Sequence, residues 1–349
     1  MKQILSIFLI IVIVIVPLVG CQSLETNNIE SNKIKVVTTI FPQYDFVRQI
    51  AGNNVDLTML LKPGMESHSY EPSPQDIIKI QEADLFIYVG GENDIWVDEI
   101  IGSMGDQGPK TMKLIDYVDT VMEEIVEGME HDHDHEHNHE EEHDQEVHEE
   151  HDHEHSHEED NEDHEDHDEN HEEEVIDEHV WTSPKNAIEI VNAITENLSN
   201  LDPDNEENYR IQGNDYIKKL NELDLEFTKV VNNSKRKTLV FGDRFPFRYF
   251  ADEYGLEYYA PFSGCSSETE ASASTIAFLI DKIKEENIPV VFKIELSNGK
   301  IAETLAEPVN GRTLTLHSCH NVTRDELEEG VTYLSLMEQN VETLKEALN

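Results

Sequence analysis

The chain has 349 residues, and its 75 Asp and Glu against 25 Lys and Arg give a net charge of −50. That length leaves room for two domains of ordinary size. The charge makes nucleic acid and anionic membrane surfaces poor partners by repulsion and favours cations. The hydrophobic fraction of 38% is low, partly because residues 131–174 carry 24 acids and neither Lys nor Arg.

In chain order, the first feature is a targeting segment. Lys2 supplies positive charge, and residues 4–19 are apolar apart from Ser6. The run is short and one-sided for a spanning helix. It ends in Leu18-Val19-Gly20-Cys21, which looks like a bacterial lipobox. Residues 1–20 are then a cleaved signal peptide, Cys21 the lipid-bearing residue and 21–33 a flexible tether. An uncleaved anchor is the alternative, and either places the rest of the chain outside the cytoplasm. Cys265 and Cys319 are the remaining cysteines. In that compartment the pair is expected to be a disulfide, with thiolate coordination of a metal as the other reading.

Beyond the tether, β-branched and apolar runs alternate with helical patterns. Strands are predicted over 34–40, 55–61, 84–89 and 113–115, and helices over 42–51, from Gln75 and over 94–103. Residues 131–174 lack apolar periodicity and cannot bury a core, which predicts disorder. A helix over 184–200 begins at Pro184 after Ser183. From Pro203, a stripe of Tyr209, Tyr216, Leu220, Leu223, Phe227 and Val230 predicts about 28 helical residues, on the order of 40 Å. Strands follow over 237–241, 257–260, 289–294 and 313–316, with helices over 244–254, 270–287, 299–307 and 327–348. The fold class is α/β: two parallel-sheet, (βα)4-like lobes (34–200 and 235–349) joined by one long, rigid linker helix over 203–232.

Of 18 histidines, fourteen lie in the acidic run: His131, His133, His135, His137, His139, His143, His148, His151, His153, His155, His157, His164, His167 and His171. The other four are His68, His179, His317 and His320. Imidazole is the commonest side-chain ligand for zinc. In open parallel sheets a ligand lies beyond the carboxyl ends of the strands. His68 follows the second strand, Asp243 the fifth and His317 the last. With His179 and His320 they could converge on one cleft between the lobes, closing by lobe movement. Each has a plainer reading: a surface histidine at His68, the end of the tract at His179, a buried strand-end histidine at His317, an ion pair with a neighbouring arginine at Asp243. Of His317 and His320, one alone could point inward. Glu295, at a strand end, is a further candidate that fits better as an acceptor holding an imidazole.

The residues that carry a resemblance are the loop GMESHSYEPSPQDI with His68, the segment DEHVWTSP with His179, FRYFADEYGL, VVFKIE and the histidine-rich run. Over nearly all of the mature chain they resemble the bacterial ABC-transporter solute-binding proteins for zinc and manganese, the ZnuA-like group, in its histidine-rich-loop zinc form. The resemblance implies a two-lobed metal carrier, not an enzyme, that delivers its ion to a membrane permease. It implies metal ligands at His68 and His179. It places the family's third ligand on Arg244, which stays protonated and cannot coordinate, so that Asp243 is the nearest replacement. It places the last ligand on His317. CSSETEAS and HSCHN depart from the commonest members and imply a subgroup stapled by Cys265 and Cys319.

Three imidazoles and a carboxylate suit zinc, whereas manganese prefers more oxygen. The tract is expected to gather metal weakly and the lipid at Cys21 to keep a monomeric carrier near its permease. Affinity is expected to fall below about pH 6, as imidazoles protonate. A zinc hydrolase is the reading from another class, with Glu66 or Glu71 as general base beside His68, although the chain has no HExxH. An extracellular zinc buffer or adhesin, in which the tract alone matters, is a third.

Overall fold

The structure is a computed structural model, and it describes residues 33–66, 70–129, 175–266 and 270–349. The expected signal peptide, Cys21, His68, the histidine-rich run and nearly all of the expected tether lie outside the described residues. The compact unit Ile34–Asn349 holds all of the strands described below.

The first half is a doubly covered parallel sheet. β1 (Lys35–Thr38), β2 (Asp56–Met59), β3 (Leu85–Tyr88) and β4 (Lys110–Lys113) pair in the order β2-β1-β3-β4, every pair parallel. α1 (Phe41–Ala51), α2 (Pro74–Gln81) and α3 (Ile95–Met104) alternate with the strands. Local chemistry sets their starts. Ser73 accepts from the Asp76 N–H, Asp76 reaches back to Ser73, and Pro74 takes the first helical position. β4 starts three residues earlier than the expected strand over 113–115 and ends two residues before that strand's end, where a 3₁₀ turn, Leu114–Tyr117, takes over. Leu114, fully buried, anchors that turn.

α4 (Pro184–Leu201) leads into α5 (Glu206–Asn232), the long helix. The stripe from Tyr209 to Val230 is its buried face. Gly213 belongs to the same face because Thr195 of α4 sits where a side chain would go, its Oγ1 2.3 Å from an added Cβ.

The second half repeats the design. β5 (Thr238–Val240), β7 (Glu257–Tyr259), β9 (Val290–Lys293) and β10 (Arg312–Thr315) form the pairs β5–β7 and β9–β10, both parallel. The parallel bridge between Phe241 and Phe292 joins the pairs, so the order is β7-β5-β9-β10. β6 (Arg244–Phe245) and β8 (Phe262–Ser263) make a short parallel pair. α6 (Arg248–Tyr254), α7 (Ala273–Glu285), α8 (Lys300–Ala306), α9 (Arg324–Glu328) and α10 (Tyr333–Ala347) complete the half. The helix expected from residue 244 starts at Arg248, because Pro246 bars the preceding residue from helical backbone. The expected last helix is two, broken at Gly330 (φ +82°) and restarted by a capping box at Thr332.

One apolar core runs through both halves. Val36 and Phe46, Tyr216 and Leu220 of α5, Phe241, Phe292, and Tyr333 and Leu344 of α10 belong to the same buried cluster. Buried polar contacts reinforce it: the Tyr333 N–H donates to Asp45 Oδ2 at 2.7 Å, and the Arg48 guanidinium reaches the Val331 carbonyl. Opening the halves widely, as the expected lobe movement requires, would break this core. The second half is also packed tightly where β5 ends. A Cβ on Gly242 would lie 2.3 Å from the Ala302 backbone. Gly242→Ala is therefore expected to lower stability by about 1–3 kcal/mol or more through overpacking. A urea midpoint equal to the parent's would contradict that packing.

Candidate metal centre

A cleft of about 740 Å³ opens between the halves beyond the carboxyl ends of β5 and β9. Its wall includes Glu66, His179, Asp243, Arg244, Glu295, Ser318 and His320.

His179 is held from below by the segment that carries it. Met122 and Ile176 form an antiparallel bridge, and the Asp177 N–H donates to the Val121 carbonyl at 3.0 Å. Asp177 then bends back. Its Oδ1 accepts from the His179 backbone N–H at 2.8 Å and lies 3.2 Å from Nδ1. A proton on Nδ1 satisfies that carboxylate and puts the lone pair on Nε2, the form a metal takes. Burial alone would lower the His179 pKa, but Asp177 beside it raises it above the ordinary value. Glu178 turns the other way, accepting from the Asn93 backbone and side chain at 2.9 and 2.7 Å.

His320 comes from the opposite half on a tight turn. Asn340 clamps His317, accepting from its N–H at 2.8 Å and donating to its carbonyl at 2.7 Å. The Cys319 N–H donates to His317 Nδ1 at 2.9 Å, and Cys319 takes a left-handed φ of +61°. The chain thus doubles back and sets His320 against the cleft. The next residue, Asn321, donates to the carbonyls of Lys62 and Met65 at 3.0 and 2.8 Å. It thereby fixes the loop that runs on toward residue 68.

The two imidazoles meet. Their ring centroids are 5.5 Å apart, with planes at 80°. A Zn–N bond of about 2.0–2.1 Å puts an imidazole centre roughly 3.2 Å from the ion, so two rings on a tetrahedral zinc stand about 5 Å apart. Trp181 supports both, its ring 5.4 Å from His179 and 4.9 Å from His320. Its indole N–H donates to the Ser318 carbonyl at 2.8 Å.

The other expected ligands are placed differently. His317 does not line the cleft. Its ring lies behind the turn, where Nδ1 is an acceptor for backbone and Nε2 is buried without a partner. Glu295 accepts from the Ser318 and His320 backbones, so it holds the turn and not an imidazole. Asp243 does line the cleft. Burial raises its carboxyl pKa, and Ser297 and the Arg244 N–H partly offset this. Arg244 crosses to the first half, donating to Glu66 Oε2 at 2.8 Å and to the Ser266 carbonyl at 3.2 Å. The carboxylate considered as a hydrolytic base is thus paired with a guanidinium. Among the described residues no group of three or more His, Cys, Asp or Glu could hold a metal ion. The described chain brings together His179 and His320.

The expected disulfide is not formed, since Cys265 and Cys319 are free thiols. They belong to different walls. Cys319 is fully buried in the turn, its thiol 3.8 Å from the His317 carbonyl. Cys265 sits against the stem below His179, its N–H donating to Glu123 Oε1 at 2.9 Å. Burial pushes both thiols well above their ordinary pKa, so neither is a ready thiolate.

Sequence reasoning missed Asp177, Trp181, Ser318 and Asn321. Their signal was adjacency: each lies within two residues of a histidine that lines the cleft.

Comparison with known proteins adds the family. The description "Zinc-uptake complex component A periplasmic" (ZnuA) matches residues 36–347. The chain belongs to the ZnuA family. That family is a metal-binding transport component outside the cytoplasm, not an enzyme family. The chain is 33% identical over 319 residues to the high-affinity zinc uptake system protein ZnuA of Bacillus subtilis (strain 168), covering 91% of this chain and 89% of that one. It is 30% identical to the zinc-binding lipoprotein AdcA of Streptococcus pneumoniae (strain R6), covering 94% of this chain but 58% of AdcA. The crystal structure of the Zn(II)-bound ZnuA-like domain of Streptococcus pneumoniae AdcA superposes with a TM-score of 0.66 at 28% identity, covering 90% of this chain and 99% of that one. The metal-dependent lipoprotein YcdH of Bacillus subtilis gives 0.68 at 29% identity, covering 90% and 99%. These ZnuA-like neighbours share the mixed α/β, two-lobed fold with parallel sheets.

Proposed function

We propose that the chain binds Zn2+ outside the cytoplasm through His68, His179 and His320 and hands it to an ABC permease. The observation that carries this is the meeting of His179 and His320 from opposite halves at 5.5 Å. The zinc named for the related ZnuA and AdcA supports the choice of ion. Three neutral imidazoles suit zinc in a four-coordinate site, with one position left for water or an exogenous ligand. Arg244 cannot fill that position, and a nitrogen-rich set disfavours manganese.

The remaining parts follow the same reading. A lipid at Cys21 keeps a monomeric carrier at the outer face of the membrane, in keeping with the lipoprotein AdcA. The boundaries are a first lobe over 34–200, a linker helix over 203–232 and a second lobe over 235–349. The tract gathers metal weakly and with little selectivity, since copper and nickel also suit such imidazoles. The described residues on either side of it in sequence, Met122 and Ile176, pair in the stem below His179.

The test is equilibrium dialysis of the chain lacking residues 131–174. One tight zinc equivalent is expected to remain, to be lost with His68→Ala or His179→Ala, and to be displaced poorly by manganese. A truncated chain with no tight equivalent would sink the carrier reading in favour of a buffer in which the tract alone binds.

A further inference from the structure

We infer that Glu295 is the positioning residue for His320: its carboxylate builds the turn that aims the imidazole, without touching the ion. The inference rests on the zinc reading above and deepens it.

The geometry is specific. Glu295 lies two residues beyond the end of β9, and its side chain is 8% exposed. One oxygen accepts from the Ser318 hydroxyl at 2.6 Å and from the His320 N–H at 3.0 Å. The other accepts from the Ser318 N–H at 2.7 Å. Three donors of a three-residue turn thus converge on one carboxylate. Among the described residues, His317 Nδ1 is the imidazole nitrogen beside it, standing off at 3.6 Å and already accepting from the Cys319 N–H.

This convergence is what the turn needs. Cys319 has φ +61°, a conformation that a residue with a side chain adopts only where its surroundings impose it. Asn340 fixes the entry to the turn through His317. Glu295 fixes its middle and exit. Without that carboxylate, Ser318 and His320 lose a shared acceptor and Cys319 has less to hold it left-handed. The His320 ring then drifts from His179 while the sheet beneath stays intact. Gln at this position keeps one oxygen but turns an amide NH2 toward a backbone N–H, so it restores part of the turn.

The test is a double-mutant cycle on the chain lacking residues 131–174. Zinc affinity is read against a competing chelator dye, with circular dichroism confirming that each apo chain is folded. Glu295→Ala is expected to weaken binding by about 10–100-fold, the range for residues that orient a ligand. Glu295→Gln is expected to fall between it and the parent, and Ser318→Ala, which removes one of the three bonds, to lose least. In the His320→Ala background Glu295→Ala is expected to add no further loss, because the imidazole it aims is gone. Equal losses in both backgrounds, or no loss in either, overturn the inference while leaving zinc binding standing. A His320→Ala chain with full affinity overturns the zinc reading itself, and this inference with it.

Discussion

His320→Ala is expected to weaken zinc binding by on the order of 100-fold or more, above the 10–100-fold typical of an outer partner, whereas His317→Ala stays within about tenfold. The two histidines sit three residues apart and have opposite surroundings. His320 lines the cleft and meets the ring of His179. His317 lies behind the turn, accepting from the Cys319 N–H at 2.9 Å. His317→Ala should therefore act on stability. It leaves a buried N–H without an acceptor, at a cost of about 1–3 kcal/mol. Removal of the orphaned Nε2 offsets part of this. Zinc titration and urea unfolding of both variants check the assignment. Loss of zinc at His317 with retention at His320 would reverse it.

Trp181→Ala is expected to be the most destabilising single change near the site. Trp181 is 1% exposed and belongs to the core that both halves share. Truncating a buried tryptophan costs about 3–5 kcal/mol through lost burial and the cavity left behind. The Ser318 carbonyl also loses its 2.8 Å donor, adding about 1–3 kcal/mol. Against a total stability of about 5–15 kcal/mol, this removes a large share. Trp181→Phe keeps most of the volume and loses the N–H, so about 1–3 kcal/mol is expected, with zinc stoichiometry intact. The Ala variant should also bind zinc at least about tenfold more weakly, since the rings of His179 and His320 both rest on the indole. Chemical denaturation with and without zinc measures both. An Ala midpoint matching the parent's would show that the indole bears little of this interface.

What was legible in the sequence follows from how far each signal reaches. The buried strands were readable because a parallel strand covered on both faces is a continuous apolar run, as in LFIY of β3. The stripe of α5 was readable because 27 residues repeat one period many times. β4 was displaced because KTMK is polar at three of four positions and exposed at its first two. β6 and β8 have two residues each, too few to show a period. In the site, His179 stood out because DEHVW breaks the style of the tract before it. The choice between His317 and His320 failed on backbone geometry. The strand-end rule favours His317, two residues past β10. The left-handed Cys319 reverses the chain and gives that place to His320, three residues further on. A non-glycine residue with positive φ is uncommon, and neither composition nor periodicity announces it.

The core shared by the two halves bears on how the ion would leave. A carrier with independent lobes can swing open and shed its cargo in one wide motion. Here Tyr333, Asp45, Trp181 and Arg48 stitch the halves together beneath the cleft. On the zinc reading, escape is expected to pass through small rearrangements at the rim, such as exchange of the Arg244–Glu66 pair. The residence time of zinc is then expected to follow the rim's own breathing. A membrane partner need only pull on a few side chains there to set the ion loose.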